Sequence, residues 1–371
     1  MLEVGIVGLP NVGKSTLFNA LMKREIAKVG RHPFTTVSPN KGIVAVPDKR
    51  LDRLVEMVVN SVVPPSEESL RATSEEGLVE VKPATIEFVD IAGLVKGAAE
   101  GAGLGNQFLS HIREVDLILH VLREFENSQV PHVMGRIDPV GDISTVELEL
   151  ILADFEAVSK ALIERRKKRR LDKKVQEETL VLEKIKKVLD KAKPAISAGL
   201  EDEEKKIVTG FHLLTLKPVI FILNISEKHL TSSKKNLPKG IIIPVCIRLA
   251  SDLYQLKDKE RKEYLREFKI KKTGLEQVIK TAYKTLGLIS FYTIKGGKKI
   301  SSWSLKEGST AIEAAGAIHT DFAKKFVKAE VIDYEKLIKA GSWQKAKEKG
   351  WIQLKGKDYQ VKDGEVIEFK F

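Results

Sequence analysis

The sequence predicts an α/β fold with three parts. These are a mainly parallel sheet around a glycine-rich loop, an inserted antiparallel helical hairpin, and a smaller α+β domain at the C-terminal end. Three observations predict it. Apolar runs at Val4–Val7, Thr85–Ile91 and Leu117–Leu122 alternate with helical patterns over residues 1–125, and Val219–Leu223 and Ile241–Val245 resume the series. Such unbroken runs suit strands covered on both faces of a parallel sheet. Second, residues 126–205 are charged, nearly glycine-free and helical in period, with Leu148, Leu152, Phe155 and Leu162 before a basic bend and Leu182, Ile185 and Leu189 after it. The Pro194–Gly199 region ends this segment. Third, from Leu288 short strands with glycine turns follow, at Ser290–Ile294, Ser301–Ser304, Glu330–Ile332, Trp351–Leu354 and Val366–Phe371, with one helix at Thr310–Ala317. The prolines, serines and acids of Ser61–Gly77 predict a mobile loop.

The first strand runs into Gly8-Leu9-Pro10-Asn11-Val12-Gly13-Lys14-Ser15, which fits G-x-x-x-x-G-K-[ST], and a helical pattern follows from Thr16. Strand, loop and helix in that order are the setting in which such a loop wraps a triphosphate. Glycines let the backbone close on the anion, and N–H groups at the positive end of the helix face it. The nucleotide-binding candidates here are Asn11, Val12, Gly13, Lys14, Ser15 and Thr16. Lys14 reaches the β- and γ-phosphates as a catalytic group, and Ser15 ligates Mg²⁺. The expected domains are therefore 1–125 with 206–287 for nucleotide binding, 126–205 for the helical insertion, and 288–371 for the C-terminal domain.

Later elements supply the rest of the constellation. Asp90 closes the Thr85–Val89 strand, where a carboxylate holds the Mg²⁺ water shell, and the Gly93 N–H meets the γ-phosphate. Thr36 is the second Mg²⁺ candidate, with Thr35 as its alternative. Asn224-Ile225-Ser226-Glu227 follows the Val219–Leu223 strand, where P-loop GTPases carry Asn-Lys-x-Asp. Glu227 is one methylene longer than Asp and Ile225 replaces Lys, which misplaces the bidentate pair to guanine. Asn224 still suits the N6/N7 edge of adenine. The base-binding candidates are Asn224, Ile225 and Glu227, and adenine is the favoured base. Leu94 stands where Ras-type enzymes place a water-orienting Gln. The glycine-dense run Gly93–Gly105 reads as a switch segment.

The chain has 371 residues and a formal net charge of +12, a balance that favours a polyanionic partner. Its one cysteine, Cys246, excludes an internal disulfide and a Cys-based zinc site. His111, His132, His212 and His229 show no metal-ligand spacing. No apolar run approaches the roughly 18 residues of a membrane span, and no signal segment opens the chain. The expectation is a soluble cytoplasmic monomer without membrane contact.

The motifs together resemble the Obg-like ATPase (YchF) family of translation-factor-related P-loop NTPases. The resemblance rests on Gly8–Ser15, Pro33-Phe34-Thr35-Thr36, Phe88–Gly97, Gly103–Leu109, the Asn-x-x-Glu at 224–227, and Ala315-Gly316-Ala317-Ile318-His319-Thr320-Asp321-Phe322. It implies a P-loop G domain, an inserted antiparallel helical pair and a C-terminal TGS domain of ubiquitin-like β-grasp fold. It also implies ATP hydrolysis with GTP as a weaker ligand, Mg²⁺, and association with ribosomes. His120-Val121-Leu122-Arg123 matches the family's His-Val-Val-Arg, which implies that His120 substitutes for the missing glutamine; read from the residues alone, His120 is equally a core histidine of a buried strand. Asn11 resembles the residue that recruits K⁺ in related NTPases, and equally reads as an asparagine that stabilises the loop. The base-facing loop Cys246-Ile247-Arg248-Leu249 departs from any fixed pattern.

Two basic segments suggest the polyanion. Arg165–Arg170 with Lys173 and Lys174 lies at the hairpin bend, and Lys295, Lys298, Lys299, Lys324, Lys325 and Lys328 stud the last domain. Phosphate contacts to ribosomal RNA are the expected use. The last domain shows no aromatic ladder in sequence, which favours structured RNA over stacked single strands. An Obg-type GTPase and an RNA-binding scaffold with a structural nucleotide site are the competing readings.

Overall fold

The computed structural model describes residues 2–29, 40–62, 79–91, 103–168, 173–227, 240–256, 258–267 and 274–371. The described strands are β1 (Glu3–Val7), β2 (Lys41–Ala45), β3 (Glu80–Lys82), β4 (Thr85–Asp90), β5 (Leu117–Arg123), β6 (Val219–Asn224), β7 (Ile241–Val245), β8 (Leu288–Lys295), β9 (Lys299–Lys306), β10 (Lys328–Asp333), β11 (Gln353–Lys355) and β12 (Glu365–Lys370). The helices are α1 (Lys14–Val29), α2 (Lys49–Val62), α3 (Gly103–Glu114), α4 (Pro139–Lys168), α5 (Lys173–Leu189), α6 (Asp202–Val208), α7 (Ile247–Leu253), α8 (Asp258–Glu267), α9 (Leu275–Thr285), α10 (Ala311–Ile318), α11 (Thr320–Lys324), α12 (Tyr334–Ala340) and α13 (Trp343–Glu348).

The chain forms two compact units, Met1–Val44 with Glu87–Val278, and Ala45–Ile86 with Ile279–Phe371. The first carries a six-stranded sheet in the order β2-β4-β1-β5-β6-β7. β1 runs parallel to β4 and β5, and β6 parallel to β5 and β7. Every residue of β5 is buried, which is why its sequence is an unbroken apolar run around His120. The five apolar runs are β1 and β4 to β7; β2, which alternates intermediate and buried positions, carries no such run.

The helical pair is α4 and α5. Its seam buries Ile151, Val158 and Leu162 against Val181, Leu182, Ile185 and Leu189. Leu148 and Leu152, expected in that seam, are 47% and 45% exposed. Apolar residues occupy both faces of α4, so spacing alone does not select the buried stripe. Asp154 is fully buried and accepts from the Leu214 and Thr215 N–H groups and the Thr215 hydroxyl, which ties α4 to the turn that leads into β6. Burial pushes its pKa up, against these bonds.

The second unit carries a six-stranded sheet in the order β11-β10-β12-β8-β9-β3. β8 and β9 form an antiparallel hairpin, β12 joins β8 in parallel, and β10 runs antiparallel to β12. Adjacent residues face opposite sides, as strand geometry requires. Tyr292, Ile332 and Val366 line one core with Leu54 and Leu337, and Phe291, Val331 and Ile367 line the other with Ala314 and Phe369. The expected helix is α10, with Thr310 in a capping box with Glu313. Three further helices, α11 to α13, accompany it.

Residues 45–86 were assigned by sequence to the nucleotide-binding domain. They cluster instead with residues 279–371. Leu51, Leu54 and Val58 of α2 pack into the core of the second sheet, and β3 pairs in parallel with β9. Asp48 accepts hydrogen bonds from Arg50 and from the Tyr292 hydroxyl, while Arg50 bridges on to Asp363 at 2.7 Å. Of the Ser61–Gly77 loop, residues 63–77 lie outside the described residues.

Candidate phosphate-binding site

β1 ends in a loop that only a particular sequence can form. Gly8 has φ 151°, and a Cβ there would lie 2.6 Å from the Val121 carbonyl oxygen of β5. Gly13 has φ 107°, and its Cβ would lie 2.6 Å from Asn224 Nδ2. Between them Asn11 adopts φ 63°, a left-handed conformation that Asn tolerates better than most residues. The first helical bond of α1 runs from Leu17 N–H to the Gly13 carbonyl at 2.9 Å. The N–H groups before it have no helical acceptor and carry the positive end of the dipole. No acidic residue occupies the first turn of α1, which leaves that end to an external anion.

Lys14 is 8% exposed and donates from Nζ to the Leu9 carbonyl at 2.8 Å. Burial pushes its pKa down, and the Asp90 carboxylate pulls the other way. A buried ammonium held chiefly by a carbonyl gains from an incoming phosphate oxygen. Ser15 and Thr16 are exposed on the first turn. Asp90 sits at the end of β4 opposite Ile6 of β1, and its N–H donates to the Asn40 carbonyl at 2.8 Å. Among the described residues no group of three or more His, Cys, Asp or Glu side chains could hold a metal ion. Mg²⁺ beside phosphates takes most of its ligands from water and phosphate and needs only one or two protein oxygens. The Ser15 hydroxyl and Asp90 carboxylate are donors of that kind. Thr35 and Thr36, with the Gly93–Ala102 part of the switch segment that includes Leu94, lie outside the described residues.

The base-side candidates differ in burial. Asn224 is 6% exposed. Its Nδ2 donates to the Val12 carbonyl at 2.9 Å, and its Oδ1 accepts from the Ile247 N–H at 3.3 Å. The amide therefore braces the phosphate loop against β6 and α7. Ile225 is 2% exposed in a core with Leu122, Ile143, Cys246 and Leu249. It replaces a long cation with an apolar side chain that turns inward. Glu227 is exposed and keeps its freedom to meet a ligand.

His120 pairs in register with Val7 of β1 and Phe221 of β6. It is 4% exposed, its ring centroid lies 5.7 Å from that of Phe221, and its Nε2 has no partner among the described residues. Burial, assisted by the Lys14 charge, lowers its pKa to about 3. A neutral imidazole of that kind is a poor proton acceptor at neutral pH; what it retains is a hydrogen bond.

One residue of the site carried no expectation. Arg123 ends the apolar strand β5 and is 2% exposed. Its Nη1 donates to the Asn11 carbonyl at 3.4 Å, its Nη2 to the Asn127 carbonyl at 3.4 Å and its Nε to the Phe125 carbonyl at 3.1 Å. The guanidinium stacks on Phe125 at 4.3 Å. The Asn11 side chain also donates to the Pro131 carbonyl at 3.2 Å. The tip of the phosphate loop is thus tied twice to residues 123–131. The available signal was a lone arginine closing an otherwise apolar strand.

Part of the basic bend is already engaged. Arg165 pairs with Glu178 at 2.7 Å and Arg166 with Glu183 at 3.3 Å. Lys167 is exposed, and Arg169 and Arg170 lie outside the described residues. No helix of the described residues is long and apolar enough to cross a membrane.

Comparison with known proteins agrees with this geometry. Residues 3–140 match a family described as 50S ribosome-binding GTPase, and residues 288–371 match the YchF-GTPase C-terminal family, described as a protein of unknown function. A protein of Bacillus subtilis (strain 168) named "Ribosome-binding ATPase YchF" is 42% identical over 100% of this chain and 99% of its own length. Its namesake in Haemophilus influenzae is 44% identical over the same shares. The structure of the Schizosaccharomyces pombe YchF GTPase superposes with a TM-score of 0.85 at 34% identity, covering 100% of this chain and 97% of that one. The relationship is full-length in both sequence and fold, and the chain belongs to the YchF family.

Proposed function

We propose that this chain is a cytoplasmic ATPase that cleaves ATP to ADP and phosphate, binds GTP more weakly, and acts on ribosomes as a translation-associated switch. The observation that carries the chemistry is the buried Lys14 in a loop closed by Gly8 and Gly13, with no acid in the helix turn that faces the anion. The relatives' printed name supports the ribosome and the adenine nucleotide.

In this reading Lys14 leaves the Leu9 carbonyl for the β- and γ-phosphates. The N–H groups of Val12 to Thr16, and of Gly93, hold the remaining phosphate oxygens. Ser15, Asp90 and Thr36 hold Mg²⁺ directly or through water, and the ion supplies charge neutralisation to the phosphates. The neutral Nε2 of His120 orients water by a hydrogen bond, without taking its proton. Asn224 shapes the pocket by holding Val12, and Glu227 disfavours guanine by its length. Asn11 keeps its Oδ1 available for K⁺. The exposed lysines, Lys167 among them, meet ribosomal RNA, and the working unit is a monomer.

The test is calorimetric titration with ATP and GTP at equal Mg²⁺, with single-turnover hydrolysis measured with and without ribosomes. ATP should bind more tightly and hydrolysis should be slow without ribosomes. GTP binding tenfold tighter, about 1.4 kcal/mol, would overturn the adenine assignment. It would favour the GTPase reading, which the family description matched at residues 3–140 supports.

A further inference from the structure

The segment Ala315–Phe322 belongs to the second unit. It ends α10 and opens α11. His319 caps α11, its Nδ1 accepting from the Asp321 N–H at 3.2 Å. That bond fixes Nδ1 as the acceptor, so a neutral His319 carries its proton on Nε2, on a side chain 60% exposed. The Phe322 ring lies 5.8 Å from His319 and 4.2 Å from Phe371, at 31° to the latter. Phe371 is 52% exposed and Val327 66%. The Val327 N–H donates to the Lys370 carbonyl, which holds the end of β12 beside α11. Lys324, Lys325 and Lys328 are exposed on the same short stretch and have no acidic partner among the described residues. Lys370 is paired with Glu368 and with Glu330.

We infer that this aromatic–basic face is a subsite for unpaired RNA nucleotides. The open face of Phe371 stacks one base, His319 donates from Nε2, and Lys324, Lys325 and Lys328 take the flanking phosphates. Three features favour this occupant. An aromatic π-face accepts any base, and single-strand binders pair such faces with a cationic track. The unpaired lysines match a polyanion, as does the chain's net charge of +12. The aromatics come from separated positions of the sequence, so the ladder absent from the linear order is assembled by the fold. The inference rests on the ribosome reading only for the choice of RNA.

Fluorescence anisotropy of the full chain, without nucleotide or ribosomes, tests it with a short labelled single-stranded RNA and a duplex of equal length. The single strand should bind more tightly. Phe371→Ala and Phe371→Leu should each weaken it about tenfold, Phe371→Trp should retain it, and the salt slope should persist in all three. Lys324→Gln combined with Lys325→Gln should flatten that slope by about one unit. Phe371 is exposed, so unchanged circular dichroism and unfolding midpoint are expected. Wild-type affinity in Phe371→Ala overturns the subsite. Wild-type affinity in Phe371→Leu also overturns it, because an apolar contact without a π-face then suffices and a protein partner is indicated. A chain that fails to pellet with ribosomes but shows the Phe371 effect loses the ribosome reading and keeps the subsite.

Discussion

The phosphate loop and the His319–Phe371 face handle positive charge in opposite ways. At the loop the cation is buried, held by a carbonyl, and its proton affinity is reduced. On the C-terminal face the lysines are exposed and surrounded by water. A buried charge acts strongly over a short range and hardly feels salt, whereas exposed charges act weakly, add up, and are screened within about 8 Å at physiological ionic strength. The first arrangement suits chemistry on one bound group. The second suits reversible association with a large polyanion.

The largest effect should come from breaking the buried side of this contrast. Lys14→Ala should lower hydrolysis by about 100- to 1000-fold with the circular dichroism spectrum retained; turnover near wild type would place the chemistry elsewhere. Next, Asn224→Ala removes the donor to Val12 and leaves the Ile247 N–H without its acceptor, a loss of about 2 kcal/mol in urea unfolding. It should weaken ATP and GTP alike. Loss of ATP affinity alone would show that Asn224 reads the base after all.

His120 sharpens the comparison through pH. Its folded pKa of about 3 lies below the ordinary 6.5, so the unfolded chain binds the proton and stability falls as pH drops through that window. Between pH 7.5 and pH 5.5 this amounts to about 1 kcal/mol, and His120→Gln should lack that share of the acid loss. The same variant should lower kcat with nucleotide affinity nearly unchanged. Full activity would leave His120 as a core residue. The smallest effects belong to the exposed charges. Lys167→Gln should flatten the salt slope of ribosome binding by at most about one unit, measured by co-sedimentation. Arg165→Ala should leave the slope alone and cost about 1 kcal/mol of stability, because its guanidinium already faces Glu178.

The phosphate loop was legible because its determinants are local: eight consecutive residues between a strand and a helix. The buried strands were legible for the same reason, since each declares its burial within a few residues. What the sequence does not display depends on distant partners. The Asn224 amide engages Val12, 212 residues away, a bond that no local pattern announces. Leu148 and Leu152 share the helical spacing of the true seam and differ only in which side α5 covers. Arg123 declares no role in the sequence, because its acceptors are backbone carbonyls, which no sequence pattern displays.

The assignment of α2 to the second unit bears on how the protein is made. Leu51, Leu54 and Val58 leave the ribosome early, but the strands that cover them are translated near the end. Asp48 must wait for Tyr292 across 244 residues of chain, which at typical elongation rates is about 10–50 s. During that interval the helix is a nascent amphipathic segment with its apolar side uncovered, open to chaperone capture. The second unit is therefore assembled last, from an early and the latest parts of the polypeptide, and a ribosome that stalls before β8 releases a chain whose α2 lacks the strands that cover it.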